Sequence, residues 1–158
     1  FKPCTPKGIV DWLKYNGYDF NGKNAVVLGR SKIVGLPLTN MLIEEGATVT
    51  CCNSKTKPTT RCHLIHSADL VVSAVGKAKF LNANSFDNIF EHHPEVVVDV
   101  GINRDENGKL CGDVDPEYFE QLLPNTYLTP VPGSVGLVTT YTLAQNTYEA
   151  FLLQNNLC

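Results

Sequence analysis

Apolar residues along this chain fall into short unbroken runs and longer stripes of helical spacing. Ala25-Val26-Val27-Leu28, Leu70-Val71-Val72 and Val96-Val97-Val98 are continuous, as in strands covered on both faces. Leu38, Met41 and Leu42 instead recur at helical spacing and stop at Gly46, where a glycine suits a helix end. The pattern predicts strands over 24–28, 47–52, 67–75, 95–100 and 126–128, and helices over 36–45 and 115–123. A first helix starts at Thr5-Pro6, a capping hydroxyl followed by proline at the first helical position. Its stripe is Ile9, Trp12 and Leu13, and it ends at Gly17. A long last helix begins near Leu137 and sets Tyr141, Ala144, Tyr148, Phe151 and Leu152 on one side.

Strands alternating with helices at this spacing predict an α/β domain with a doubly wound parallel sheet, Rossmann-type, in three α/β/α layers. In that architecture ligands sit beyond the carboxyl ends of the strands, so the loops leaving those ends are where chemistry is sought.

Composition narrows the function classes. At 158 residues the chain suits one well-packed domain. A formal charge of −3 gives no reason to expect nucleic acid or an anionic membrane as partner. No apolar run approaches the roughly 18–20 residues that span a bilayer. The first residue is Phe and helix-start chemistry begins within five residues of it, so the expectation is that protein precedes it. The six cysteines form no C-x-x-C pair and read as reduced thiols of a cytosol-like compartment. His63 and His66 share a helix face and His92-His93 precede a strand. All four read as solvated or structural, and no metal site is expected.

The loop after the first strand, Gly29-Arg30-Ser31-Lys32-Ile33-Val34-Gly35, is a strand-to-helix turn that gathers backbone N–H groups at a positive helix end, a setting for phosphate. Ser31 stands where the usual G-x-G-x-x-G has its middle glycine, and Gly35 falls one residue late. The next loop, Asn53-Ser54-Lys55-Thr56-Lys57, points to NADP over NAD. An NAD site usually has a carboxylate there for the ribose 2′-hydroxyl, whereas a hydroxyl and two lysines, with Arg30 beside them, suit a 2′-phosphate. In Asp99-Val100-Gly101-Ile102-Asn103 the glycine permits close backbone approach, Ile102 is placed to cover a nicotinamide or ribose face, and Asp99 is expected to bond nearby amides. Glu106-Asn107-Gly108 reads as a turn leading into Gly112-Asp113-Val114. Two prolines and two glycines then stiffen and bend Thr129-Pro130-Val131-Pro132-Gly133-Ser134-Val135-Gly136 before the last helix.

These motifs in this order, with Phe1-Lys2-Pro3-Cys4-Thr5-Pro6-Lys7-Gly8 ahead of them, resemble the methylenetetrahydrofolate dehydrogenase/cyclohydrolase family, from residue 1 to the final helix. The resemblance implies the cofactor domain of a two-domain enzyme that oxidises 5,10-methylenetetrahydrofolate with NADP (NAD in some members) and hydrolyses the methenyl product to 10-formyltetrahydrofolate. By that resemblance Gly29, Arg30 and Ser31 hold the cofactor phosphates, Ser54 sits by the adenosine 2′-phosphate and Ile102 contacts the nicotinamide side. Val131, Pro132, Gly133 and Ser134 close over cofactor and folate. It further implies a homodimer and a folate site shared with an N-terminal domain, while the reduced thiols set the expected location as cytoplasmic, with a mitochondrial parent left open. Residues 1–22 would link to that domain, 23–136 bind the cofactor and 137–158 return towards it. The family's Tyr-x-x-x-Lys pair is absent: no tyrosine here has lysine four residues later, so no catalytic residue is assigned and the chain alone is expected to be inactive. The chain departs from the family at Ser134 (usually glycine), Leu137-Val138 (usually Pro-Met) and Asn53 (usually histidine). Two rival readings are a dinucleotide-binding module without catalysis and an S-adenosylmethionine-dependent methyltransferase, the latter lacking its acidic ribose partner.

Overall fold

The computed structural model describes residues 1–82, 85, 93–122 and 125–157. In chain order the elements are α1 (Cys4–Tyr15), β1 (Asn24–Leu28), α2 (Gly35–Glu44), β2 (Thr48–Cys52), α3 (Pro58–His66) and β3 (Leu70–Ser73). They continue with β4 (Val96–Asp99), β5 (Asn103–Arg104), β6 (Leu110–Cys111), α4 (Pro116–Leu122), β7 (Tyr127–Leu128) and α5 (Val135–Gln154). The main sheet has the order β2-β1-β3-β4-β7, with every neighbouring pair parallel. The chain lays β2 on one side of β1 and β3 on the other, which makes the gap beyond β1 and β3 the switch point of a doubly wound sheet.

The unbroken apolar runs split cleanly between two cores. Ala25, Val27, Leu70, Val72 and Val98 face Ile9, Val10 and Leu13 of α1 and Leu38, Met41 and Leu42 of α2. Val26, Leu28, Val71 and Val97 face Ile65 of α3 and Tyr118 and Phe119 of α4. Alternate residues of each run serve opposite layers, so both faces of the run are apolar, and burying each such side chain contributes roughly 1.5–3 kcal/mol. The expected α/β/α layering is therefore present.

Several local expectations are corrected. Thr5 does not cap α1: Pro3 occupies that position, and Thr5 Oγ1 instead accepts a hydrogen bond from Thr139 Oγ1 at 3.0 Å. The third strand is shorter than expected, because Ser67 ends α3 and the segment past Ser73 turns into a loop. α3 itself has a sparse apolar face, with Ile65 and His66 as its buried residues. The turn at 106–108 closes an antiparallel β5–β6 hairpin. The far end of the expected 115–123 helix, together with His92 and Cys158, lies outside the described residues.

The last helix keeps its expected stripe on one side, and that side faces solvent. It starts at Val135, two residues before the expected Leu137, and its main contact is α1. Tyr141, Ala144, Tyr148 and Phe151 lie on its exposed side, while Thr142 is the buried residue. The face that meets α1 is built from small and β-branched residues because the helices approach closely. A Cβ added at Gly8 would stand 2.9 Å from both Thr142 Oγ1 and the Val138 carbonyl oxygen. Gly8→Ala therefore sets a helix-propensity gain of about 1 kcal/mol against an overpacking cost of about 1–3 kcal/mol. A backbone carbonyl cannot rotate aside, so the cost wins. We expect the urea midpoint to fall, and a higher midpoint would show that α5 slides freely on α1.

Candidate functional site

Strand register puts the working loops on one edge. Leu28 pairs with Cys52 on one side and Ser73 on the other, and Ser73 pairs with Asp99. The next residues of β1, β2, β3 and β4 therefore leave the sheet in one row, with strands about 4.8 Å apart.

Gly29 leaves β1 with φ +110, and a side chain there would run into the Ala74 carbonyl. A side chain at Gly35 would likewise strike the Gly29 carbonyl, so the two glycines let α2 start directly against the loop. The Ser31 hydroxyl accepts hydrogen bonds from the N–H groups of Val34 (3.1 Å) and Gly35 (3.4 Å). The N–H groups of residues 30–33 have no acceptor among the described residues. On the neighbouring loop, Asn53 Oδ1 accepts from the Lys55 N–H at 2.9 Å and Thr56 Oγ1 from the Asn53 N–H at 3.0 Å. This asparagine turn explains the departure at Asn53 and leaves Ser54 and Lys55 exposed. Among the described residues the ion pairs engage Lys2, Lys7, Lys14, Lys23 and Lys79. Arg30, Lys32, Lys55 and Lys57 belong to none of them.

The β4 end is held from inside. Asp99 Oδ1 accepts from the N–H groups of Gly101 and Asp113, both at 2.9 Å, and Oδ2 from that of Val114 at 2.9 Å. The expectation that Asp99 serves backbone amides is met. A side chain at Gly112 would collide with this carboxylate, and one at Gly101 with that of Asp113. The Asp99 N–H also donates to Thr129 Oγ1 at 2.8 Å, tying β4 to the segment that follows β7. Burial pushes the Asp99 carboxyl up to about 6, against the pull of its three N–H partners and with a further push from Asp113.

That following segment carries a cis Val131-Pro132 bond, and Gly133 takes φ +122. Ser134 has φ −124, outside the left-handed region that favours the glycine usual there, and its hydroxyl donates to the Pro130 carbonyl at 3.0 Å. Ile102, Val131, Pro132, Gly133 and Ser134 line one cleft of about 260 Å³, with Thr5 and Thr139. A larger hollow of about 700 Å³ adjoins it between the β5–β6 hairpin, α4 and β7, sharing Asp99, Leu110, Pro130 and Val131. The structure thus joins five of the expected site residues in one cleft. Gly29, Arg30, Ser31 and Ser54 lie on adjacent loops of the same edge.

A family model described as tetrahydrofolate dehydrogenase/cyclohydrolase, NAD(P)-binding domain, matches residues 3–155. The chain belongs to this family. It is 45% identical over 157 residues to the bifunctional protein FolD of Clostridium kluyveri, covering 99% of this chain and 52% of that protein. To the Bacillus subtilis FolD it is 49% identical over 150 residues, covering 95% and 50%. Among solved structures, the Campylobacter jejuni FolD methylenetetrahydrofolate dehydrogenase/cyclohydrolase superposes with TM-score 0.81 at 43% identity, over 94% of this chain and 50% of that one. A Trypanosoma brucei homologue complexed with NADP and an inhibitor does so with TM-score 0.75 at 35% identity, over 92% and 49%. The chain spans about half the length of the curated relatives it matches. Membership of an NAD(P)-binding family decides against the methyltransferase alternative.

Sequence reasoning passed over the loop after β3 and the role of Asp113. Val75-Gly76, a glycine closing an apolar strand, was the available signal for the loop. Asp113 gave none, since four of its five partners lie 36 to 40 residues away.

The Asp99 carboxyl yields a pH prediction. Its folded value of about 6 lies above the ordinary 3.8, so between these values the folded state binds the extra proton and stability falls as pH rises. The cost is fully present above about pH 6 and relieved towards pH 4. A difference near two units corresponds to about 2 kcal/mol between pH 7 and pH 4. Urea denaturation of wild type and Asp99→Asn at both pH values should show this slope in wild type alone, and parallel pH curves would refute it.

Proposed function

We propose that this chain is the cofactor half of an enzyme that oxidises 5,10-methylenetetrahydrofolate with NADP and hydrolyses the methenyl product to 10-formyltetrahydrofolate. The reading is carried by the cleft that joins Ile102 to residues 131–134, on the sheet edge that also bears Arg30 and Ser54, in a chain of the NAD(P)-binding family.

The residues fit NADP. Unengaged N–H groups at residues 30–33 and the start of α2 supply donors and partial positive charge for phosphates, with Gly29 allowing close approach, Arg30 adding charge and Ser31 a hydroxyl. Ser54, Arg30, Lys55 and Lys57 present a hydroxyl and unpaired cations to the 2′-phosphate, and no carboxylate stands between Ala47 and Thr60 to favour a bare ribose. With NADP bound, Ile102 would cover a nicotinamide face, and Val131, Pro132, Gly133 and Ser134, which line the same cleft, would close over cofactor and folate. NADP, when bound, accepts the hydride from the folate one-carbon unit.

The other half of the enzyme supplies the folate pocket and the proton-handling side chains. Exposed Leu137, Tyr141, Tyr148 and Phe151 on α5 support its docking on that helix, since a contiguous apolar patch marks an interface. Residues 1–22 then join the two halves and 137–158 return to the other one. α1 also contributes Ile9, Val10 and Leu13 to the core. The family resemblance extends to a homodimer of the whole enzyme. The free thiols of Cys4, Cys51, Cys52, Cys62 and Cys111 support a cytoplasmic setting, and among the described residues no helix is long and apolar enough to cross a membrane.

Calorimetry tests the cofactor assignment. The chain should bind NADP about tenfold or more tightly than NAD, with Arg30→Ala bringing the two close together, as loss of a charge-assisted bond predicts. Equal affinities in wild type would refute the assignment. The chain alone should not turn over methylenetetrahydrofolate, because hydride transfer needs its partners held within about 3–3.5 Å; turnover would sink the two-half reading.

A further inference from the structure

Three consecutive N–H groups turn inward just past β3 and converge on one carboxylate. Val75 and Gly76 donate to Asp113 Oδ2 at 2.7 and 3.1 Å, and Lys77 donates to Oδ1 at 2.9 Å. Such a row of amides is an anion-binding nest, curled here by Gly76 at φ +72. The protein fills the nest with a side chain that has no solvent-exposed surface. The Ser73 hydroxyl at 3.1 Å and the Asn103 side-chain amide at 2.9 Å bring the donors to five. An ionised carboxylate offers these donors acceptors alone, whereas an amide in its place would oppose some of them with donors of its own.

We propose that Asp113 is a positioning residue for the nicotinamide half of the cofactor, acting through the backbone of residues 75–77 and through Asn103. The inference rests on the cofactor reading given above. Sheet order says which half is concerned. β2 and β1 carry Ser54 and Arg30, the adenosine and phosphate side, β4 leads to Ile102, and β3 stands between β1 and β4. The β3 loop therefore borders the cofactor beyond the pyrophosphate, and Asn103 adjoins Ile102. One carboxylate sets both walls while touching no ligand. It also occupies the amides of residues 75–77, which leaves those of residues 30–33 as the donors open to phosphate.

The test titrates NADP and adenosine 2′,5′-bisphosphate, which spans the Ser54 and Arg30 side alone, against wild type, Asp113→Asn and Ser73→Ala. Amide hydrogen exchange at residues 75–77 is followed in parallel, with Val26 and Val27 of β1 as references. Asp113→Asn should weaken NADP about tenfold or more and leave the bisphosphate within about twofold. Exchange at residues 75–77 should quicken while Val26 and Val27 stay protected. Ser73→Ala removes one of five donors and should show the same pattern at about threefold, so the inference remains testable if Asp113→Asn does not fold. Equal losses on both ligands, or NADP affinity unchanged while exchange quickens, would overturn it. A wild-type chain that binds neither ligand overturns the cofactor reading and this inference with it. Wild-type binding of both, with variants that fail the split, overturns the inference alone.

Discussion

Two carboxylates that scarcely touch water organise the carboxyl edge of this sheet. Asp99 fixes the backbone at 112–114, and through it the position of Asp113. Asp113 in turn fixes the backbone at 75–77. Burying a charge is costly unless hydrogen bonds replace the lost water, and here backbone amides of three separate loops supply most of those bonds. Gly101 and Gly112 are required at this point because each carboxylate occupies the space that a side chain would need. Loops that would otherwise move independently are locked to the strands they leave.

The hydrophobic part of the fold was legible because periodicity and burial coincide there. β1 lies where its apolar run predicted, and Leu38, Met41 and Leu42 of α2 face inward as their spacing required. α3 was hard to see because it buries so little. In α5 the stripe lies on one side as its spacing required, and burial is found on the other. Its apolar stripe is real, but its contact with α1 uses Thr139, Thr142 and the backbone beside Gly8, residues that hydropathy does not mark.

The site was legible wherever the chemistry is local. Glycines beside a strand end, cations in a turn and a proline-rich connection can be read from a few neighbouring letters. Asn53 and Ser134 looked like doubtful departures, yet each is accommodated by its own backbone, one as a turn former and the other at an ordinary φ. Long-range partners are different in kind. Nothing near Asp113 in the chain announces that its acceptors serve residues on β3 and β5.

Charge on this molecule is sorted rather than balanced. The chain is formally −3 overall, yet Arg30, Lys32, Lys55 and Lys57 stay outside the ion pairs that occupy Lys2, Lys14 and Lys23. A polyanion drifting past a molecule of net like sign would thus be repelled by most orientations and drawn in by one. Productive encounters become selected by orientation before any contact forms, and the rate of capture becomes a property of ionic strength as much as of fit.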